Sequence, residues 1–261
     1  MTGKPEAFRE LTRNNMTLGG ATFVFNGVKY DYCFEESIRC LQDLCDQVVV
    51  CVIRSDDGTL ERCKALIDSK TKLIVLDDEL WFKTSGKERL SYFSNIAISN
   101  LDTDWVYYQQ ADEVLHELSF EQVRSAINSP DHEGYFTVRL NLWNDPYHFL
   151  TCPLDRQPCS THVIRLAKSQ YRCVGDGESL DVPNVIDPVG MMFHMGFVRK
   201  RDVMKEKVIH MQEGVFQTPH DARLDEDPEF NPMRYFSKED LSPIMSTLPR
   251  YVENWGMERL Y

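Results

Sequence analysis

The chain has 261 residues, 42% of them hydrophobic, and a formal charge of −12, so it can bury a large core as one domain or slightly more. That charge argues against a protein that coats nucleic acid non-specifically, because such binding depends on neutralising phosphates. No apolar run approaches the roughly 18 to 20 residues that span a bilayer, and the opening M-T-G-K-P-E-A-F-R-E lacks a hydrophobic signal segment, which leads to the expectation of a cytoplasmic protein.

Residues 1–20 are polar and irregular, and a first strand is expected at Ala21–Phe25 before the turn signal Asn26-Gly27. Phe34, Ile38, Leu41 and Leu44/Cys45 recur at helical spacing. Val48–Ile53 is nearly all apolar, as in a parallel strand covered on both faces, and Ser55–Thr59 breaks it before a helix through about Ser69. The grammar repeats with a strand at Leu73–Leu76, a loop containing Trp81, a helix from about Gly86 to Asn100, and a strand at Trp105–Tyr108. Strands alternating with helices predict a mostly parallel sheet with right-handed crossovers. Ser119-Phe-Glu-Gln122 has capping-box spacing and predicts a helix to about Asn128, stopped by Pro130. Beyond it, Gly134–Asn141, Val163–Leu166 and Tyr171–Val174 read as strands between loops bearing Pro146, Pro153, Pro158 and Pro183, an α+β half added to the sheet rather than continuing it. The eight cysteines (33, 40, 45, 51, 63, 152, 159, 173) form no C-x-x-C pair and read as reduced, structural thiols.

Asp112-Glu113 follows directly on the strand Trp105–Tyr108. In an open α/β sheet ligands gather at the carboxyl ends of the strands, and carboxylates suit Mg²⁺ or Mn²⁺, which bridge to phosphates. A solvated turn, or the acidic start of a helix, fits the same pair.

The order of elements and this pair together resemble the GT-A fold glycosyltransferases grouped as glycosyltransferase family 2. F-V-F-N26 and C-V-I-R-S-D-D-G-T59 occupy the places of that family's first two strand ends, and K87-E-R-L-S-Y-F-S-N-I-A-I-S-N100 followed by D-W-V-Y-Y-Q-Q-A-D112-E113-V resembles its helix and D-x-D region, particularly a bacterial and phage branch reading Q-A-D-E-V. The resemblance implies one GT-A type (Rossmann-like) domain over 1–261, with 21–117 as the nucleotide-sugar half and 118–261 as the acceptor side. It implies nucleotide contacts from Phe25, Asn26, Arg54, Asp56, Lys87, Arg89 and Asp112. Val52 or Ile53 falls where the family has an acidic residue in the second strand, and Ala111 stands where many members carry the first Asp, which leaves Asp112 and Glu113 for the metal. G190-M-M-F-H194-M-G-F-V-R resembles the branch's H-x-G-x-V-R segment and makes His194 the third expected ligand.

Such an enzyme would move a sugar from a nucleotide-sugar, expected to be a UDP-sugar, to an acceptor hydroxyl with Mn²⁺ or Mg²⁺ as cofactor and with inversion. Lys87 and Arg89, on the first turn of a helix, suit a diphosphate, though a solvated helix face explains them equally. For the base, Val174-Gly-Asp-Gly-Glu-Ser179 offers Asp176 first and Glu178 second, since two glycines free the backbone around them; an acidic turn is the plainer reading. A nucleotidyltransferase would want a glycine-rich, lysine-bearing loop after the first strand, which F-N-G-V-K-Y-D-Y matches poorly, and a non-catalytic sugar-nucleotide or glycan binder would not need Asp112, Glu113 and His194. The acceptor stays open among saccharides, lipid-linked saccharides, proteins and a hydroxymethylated DNA base, the last because Arg199, Lys200, Arg201, Lys205 and Lys207 form a basic cluster.

Overall fold

The computed structural model describes residues 16–129, 132–151, 162–226 and 228–255. Most of the polar amino-terminal stretch, Pro130, Pro153, Pro158, Cys152 and Cys159 lie outside the described residues. The first half alternates strand and helix: β1 (Leu18–Val24), α1 (Phe34–Leu44), β2 (Gln47–Ile53), α2 (Thr59–Ala65), β3 (Thr71–Leu76), α3 (Asp78–Lys83), α4 (Glu88–Ile98) and β4 (Trp105–Tyr108). The four strands are parallel in the order β3-β2-β1-β4. The chain moves outward from β1 to β3 and then returns to place β4 on the other side of β1. The crevice left by that reversal, at the carboxyl ends of β1 and β4, is where an open sheet of this kind receives ligands.

β2 shows why the apolar run folds this way. Val48, Val50 and Val52 pack on Phe34, Ile38 and Leu41 of α1, while Val49 and Cys51 face Ala97 and Ile98 of α4. Helices therefore cover both faces of the sheet. Two local expectations change. α2 stops at Ala65 because Asp68 folds the following turn, accepting from Lys70 N at 3.2 Å. The supposed loop at Trp81 is helix α3, with the indole buried against Phe25 and Phe93 at centroid distances of 4.5 and 5.5 Å.

The second half contains β5 (Glu113–Leu115), α5 (Phe120–Ala126), β6 (Gly134–Trp143), β7 (His148–Leu150), β8 (His162–Lys168), β9 (Cys173–Val174), β10 (Ser179–Leu180), β11 (Pro188–Phe197), α6 (Arg201–Ile209), which runs into a π-helical turn His210–Val215, then α7 (Arg223–Glu226) and β12 (Leu241–Pro243). It continues the sheet rather than standing beside it: β8 pairs antiparallel with β4, β6 with β8, and β11 lies parallel to β6 while pairing antiparallel with β5. The result is a mixed α/β fold on one ten-stranded sheet. Ser119 does not cap α5 as a capping box would; its hydroxyl accepts from Met191 N at 3.1 Å and so fixes β11 instead.

The six described cysteines form no disulfide and are buried, and burial pushes the thiols of Cys40, Cys51 and Cys63 up to about 12, which keeps them protonated and inert. Among the described residues, no helix is long and apolar enough to cross a membrane.

Candidate active site

A cavity of about 780 Å³ opens at the carboxyl ends of β1 and β4 and is walled by both halves of the chain. Phe25, Tyr30 and Tyr32 line it from the turn after β1, Trp81 and Lys87 from α3 and the start of α4, and Gln110 to Asp112 from the end of β4. The second half supplies Arg139, Asp176, Glu178, His194, Phe197, Lys207 and His210. His210 lies against Tyr30 and Trp81, stacked at 5.0 and 6.3 Å.

Asp112 is buried, and its Oδ2 faces three cationic or potentially cationic groups: Lys207 Nζ at 3.2 Å, Arg199 Nη2 at 3.6 Å and His194 Nε2 at 3.7 Å. Burial alone would raise its carboxyl, but Lys207, then His194 and Arg199, hold it well below the usual carboxylate range. Arg199 and Lys207, read from the sequence as part of a basic cluster, are both buried here. The signal for Lys207 lay in helical spacing, since Met204, Lys207, Val208 and Met211 recur at i, i+3, i+4 and i+7 and put a lysine on an apolar face.

Glu113 is the neighbour in sequence but not in surroundings. It is fully buried, and its Oε1 accepts from Arg165 at 2.5 Å and Arg139 at 3.3 Å, while Oε2 accepts from Gln110 N at 3.0 Å. The structure does not bring Glu113, expected as a metal ligand, to the cavity: its carboxylate is taken up by two arginines and a backbone amide.

His194 comes from β11 in register opposite Glu113, and the Met195 N–H donates to Asp112 O at 2.7 Å, which clamps the two segments together. Asn141 Oδ1 lies 2.8 Å from His194 Nδ1. That contact orients the ring so that Nε2 faces Asp112. Gly196 makes the arrangement possible, because a Cβ there would stand 2.4 Å from Cε1 and Nε2 of the imidazole.

Asp176 and Glu178 reach the cavity from the β9–β10 turn. Gly177, between them, has φ +74° and sits so close to α4 that a Cβ would be 3.2 Å from Leu90 C and Ser91 N, so both its conformation and its contact require glycine. Glu178 Oε2 is 2.5 Å from Arg139. Burial would raise this carboxyl, yet Arg139 and then Arg165 lower it, which makes it a weak proton acceptor. Asp176 lines the cavity and accepts from Glu178 N at 3.3 Å.

Several expected nucleotide contacts do not face the cavity. Asn26 forms the left-handed turn after β1 (φ 52°), and Arg54 is exposed and paired with Asp77 at 3.2 Å. Asp56 is exposed as well, and its neighbour Asp57 ties the two loops by accepting from Lys29 N at 2.7 Å and Thr59 Oγ1 at 2.8 Å. Arg89 is buried over Trp81, donating to Thr84 O at 3.0 Å and to Gly214 O at 3.2 Å; it fastens the π-helical turn to α4 rather than meeting a diphosphate. Phe25, Lys87, Asp112, His194, Asp176 and Glu178 are brought together.

Metal–ligand distances of about 2.0–2.2 Å put two ligands of one ion up to about 4 Å apart, so Asp112 Oδ2 and His194 Nε2 at 3.7 Å fit a shared Mn²⁺ or Mg²⁺. Among the described residues, no three His, Cys, Asp or Glu side chains converge as a metal cluster. An ion here would take its remaining ligands from water and substrate phosphate, as Mg²⁺ commonly does.

No protein-family model matches the chain, and no curated protein matches it. Among solved structures it is similar to glucosyl-3-phosphoglycerate synthase from Mycobacterium tuberculosis in complex with Mn²⁺, UDP and glucosyl-3-phosphoglycerate, at 15% identity and a TM-score of 0.44, covering 79% of this chain and 82% of that one. It is similar to S. aureus TarS 1-349 in complex with UDP at 14% identity and TM-score 0.38, covering 59% of this chain and 47% of that one, so the chain spans about half of that structure. It is also similar to 4-diphosphocytidyl-2C-methyl-D-erythritol synthase from Anaerococcus prevotii at 9% identity and TM-score 0.37, covering 60% and 71%. Likeness at this level leaves function to be argued from the site.

Proposed function

We propose that the chain is a glycosyltransferase that takes a nucleotide-sugar, a UDP-sugar in the first instance, and transfers the sugar with inversion to an acceptor hydroxyl on a saccharide, a lipid-linked saccharide or a modified DNA base. The observation that carries this reading is the meeting of Asp112 and His194, from opposite halves of the chain, in a cavity at the switch point of the sheet. Asp112 and His194 would hold Mn²⁺ or Mg²⁺, which supplies Lewis-acid charge to a departing diphosphate. Lys87 at the mouth of α4 attracts the diphosphate, and the rings of Phe25, Tyr30 and Trp81 offer stacking surface to a base. Asp176 is the proton acceptor for the attacking hydroxyl, while Glu178, paired with Arg139, positions that turn. Residues of α6 and the π-helical turn form one wall of the cavity.

The test is thermal stabilisation and slow donor hydrolysis across UDP- and GDP-sugars with Mn²⁺. A ligand at a hundred times its Kd adds about 2.7 kcal/mol, a shift of several degrees. A set of donors that neither raises Tm nor is hydrolysed would refute the reading.

A further inference from the structure

Lys207 enters the cavity from α6 with only 11% of its side chain exposed. An ammonium has three N–H donors. One meets Gly196 O at 2.8 Å and one Asp112 Oδ2 at 3.2 Å, and the rings of Tyr32 and Phe197 flank the group at 5.1 and 5.7 Å. Among the described residues no third acceptor meets it, and Lys207 lines the cavity, so one donor faces the open volume. The same Asp112 oxygen is the one nearest His194 Nε2. An ammonium and a divalent ion would thus contend for one oxygen at one place.

The charges around that oxygen already favour the protein's own cations. The single negative charge of Asp112 faces both Lys207 and Arg199, whose Nη2 is 3.6 Å away, and a buried Arg199 Nε has no partner among the described residues. Around this one carboxylate oxygen, two cations face a single negative charge. What complements such a surplus is an anion of more than one charge, and a lysine ammonium is a well-suited point charge for phosphate.

We propose that Lys207 is a diphosphate-binding residue that stands in for the divalent ion, so that a nucleoside diphosphate is held here even when no such ion is present. The proposal rests on the nucleotide-sugar reading above. When the diphosphate arrives, the free N–H of Lys207 meets a phosphate oxygen while Asp112 and Gly196 O keep the ammonium aimed.

The experiment is calorimetric titration of UDP at fixed pH, once with Mn²⁺ and once with EDTA, on the wild type, Lys207→Met and Lys207→Arg. In the wild type the two affinities are expected within about tenfold of one another. In Lys207→Met the EDTA affinity should fall further than the Mn²⁺ affinity by about 10-fold to 100-fold, the scale of one charge-assisted hydrogen bond, and Lys207→Arg should recover most of it. Wild-type binding seen only with Mn²⁺ overturns the proposal while leaving the nucleotide-sugar reading intact, and it does so whether or not the variants fold. An unchanged ratio in a folded Lys207→Met overturns it too. Absence of UDP binding in both buffers removes it together with the parent reading.

Discussion

Asp112, in the turn before β5, and Glu113, the first residue of β5, are adjacent carboxylates, yet the surroundings of the two have opposite character. Glu113 points into the sheet, where Arg165 and Arg139 enclose it without solvent. Asp112 points into the cavity, where its cations are arranged around open volume. The chain leaves a turn at Asp112 and enters β5 at Glu113, so a single peptide step separates a buried ion pair from a residue lining the cavity. The first holds Arg139 in place, and Arg139 in turn holds Glu178. Rigidity on one face thus serves placement on the other.

The sharpest way to break this contrast is Glu113→Gln. Removing one partner of a buried pair leaves uncompensated charge and costs about 3–5 kcal/mol, which urea unfolding followed by tryptophan fluorescence should register. A loss below about 1 kcal/mol, with ion binding abolished instead, would reverse the roles assigned to the two carboxylates. Asp112→Asn is expected to act on chemistry: donor hydrolysis falls about 10²-fold to 10³-fold, the scale of losing a charge-stabilising group. Its effect on stability depends on pH. Burial would raise the Asp112 carboxyl, but Lys207, His194 and Arg199 depress it, so its stabilisation is complete above the unfolded value near ~3.9 and disappears as pH falls through the lower folded value. Unfolding curves of wild type and Asp112→Asn should therefore converge in acid, and a constant gap from pH 7 to pH 2 would contradict the pairing.

Asp176→Asn should reduce sugar transfer by about 10²-fold, the usual range for a general base, with UDP affinity nearly unchanged. Parallel loss of both would move Asp176 into the donor site. The smallest effect is expected from Gly196→Ala, whose Cβ would meet the His194 ring at 2.4 Å. Turning the ring away should weaken Mn²⁺ binding about tenfold, by analogy with disturbed metal ligands, and Mn²⁺ titration by electron paramagnetic resonance would measure it. Unaltered binding would return His194 to the packing of β11.

Where neighbours in sequence determine structure, the chain was readable. The apolar run of β2 and the helical spacing of α1 carry their own periodicity, and β4 was found at Trp105–Tyr108 with its acidic pair beyond it. β5 has three residues and β11 is a strand because β6 and β5 lie beside it; no local pattern supplies those partners. The choice between Asp112 and Glu113 needed the facing of each side chain, which depends on that pairing. Arg89 and Arg199 looked like surface charges, because a sequence shows a guanidinium but not the carbonyls that receive it: Thr84 and Gly214 for one, Met195 and Tyr30 for the other.

The pairing of β5 with β11 also orders events during synthesis. Asp112 and Lys207 are 95 residues apart along the chain, and at about 5–20 residues per second a ribosome needs about 5–20 s to supply the second after the first. For that interval the nascent chain has its parallel strands but neither the histidine nor the lysine that meet the aspartate, and Glu113 waits for Arg165 as well. Contacts of such long separation form slowly. The cavity is therefore completed late, and a translational pause or truncation before residue 207 yields a chain without the lysine that meets Asp112.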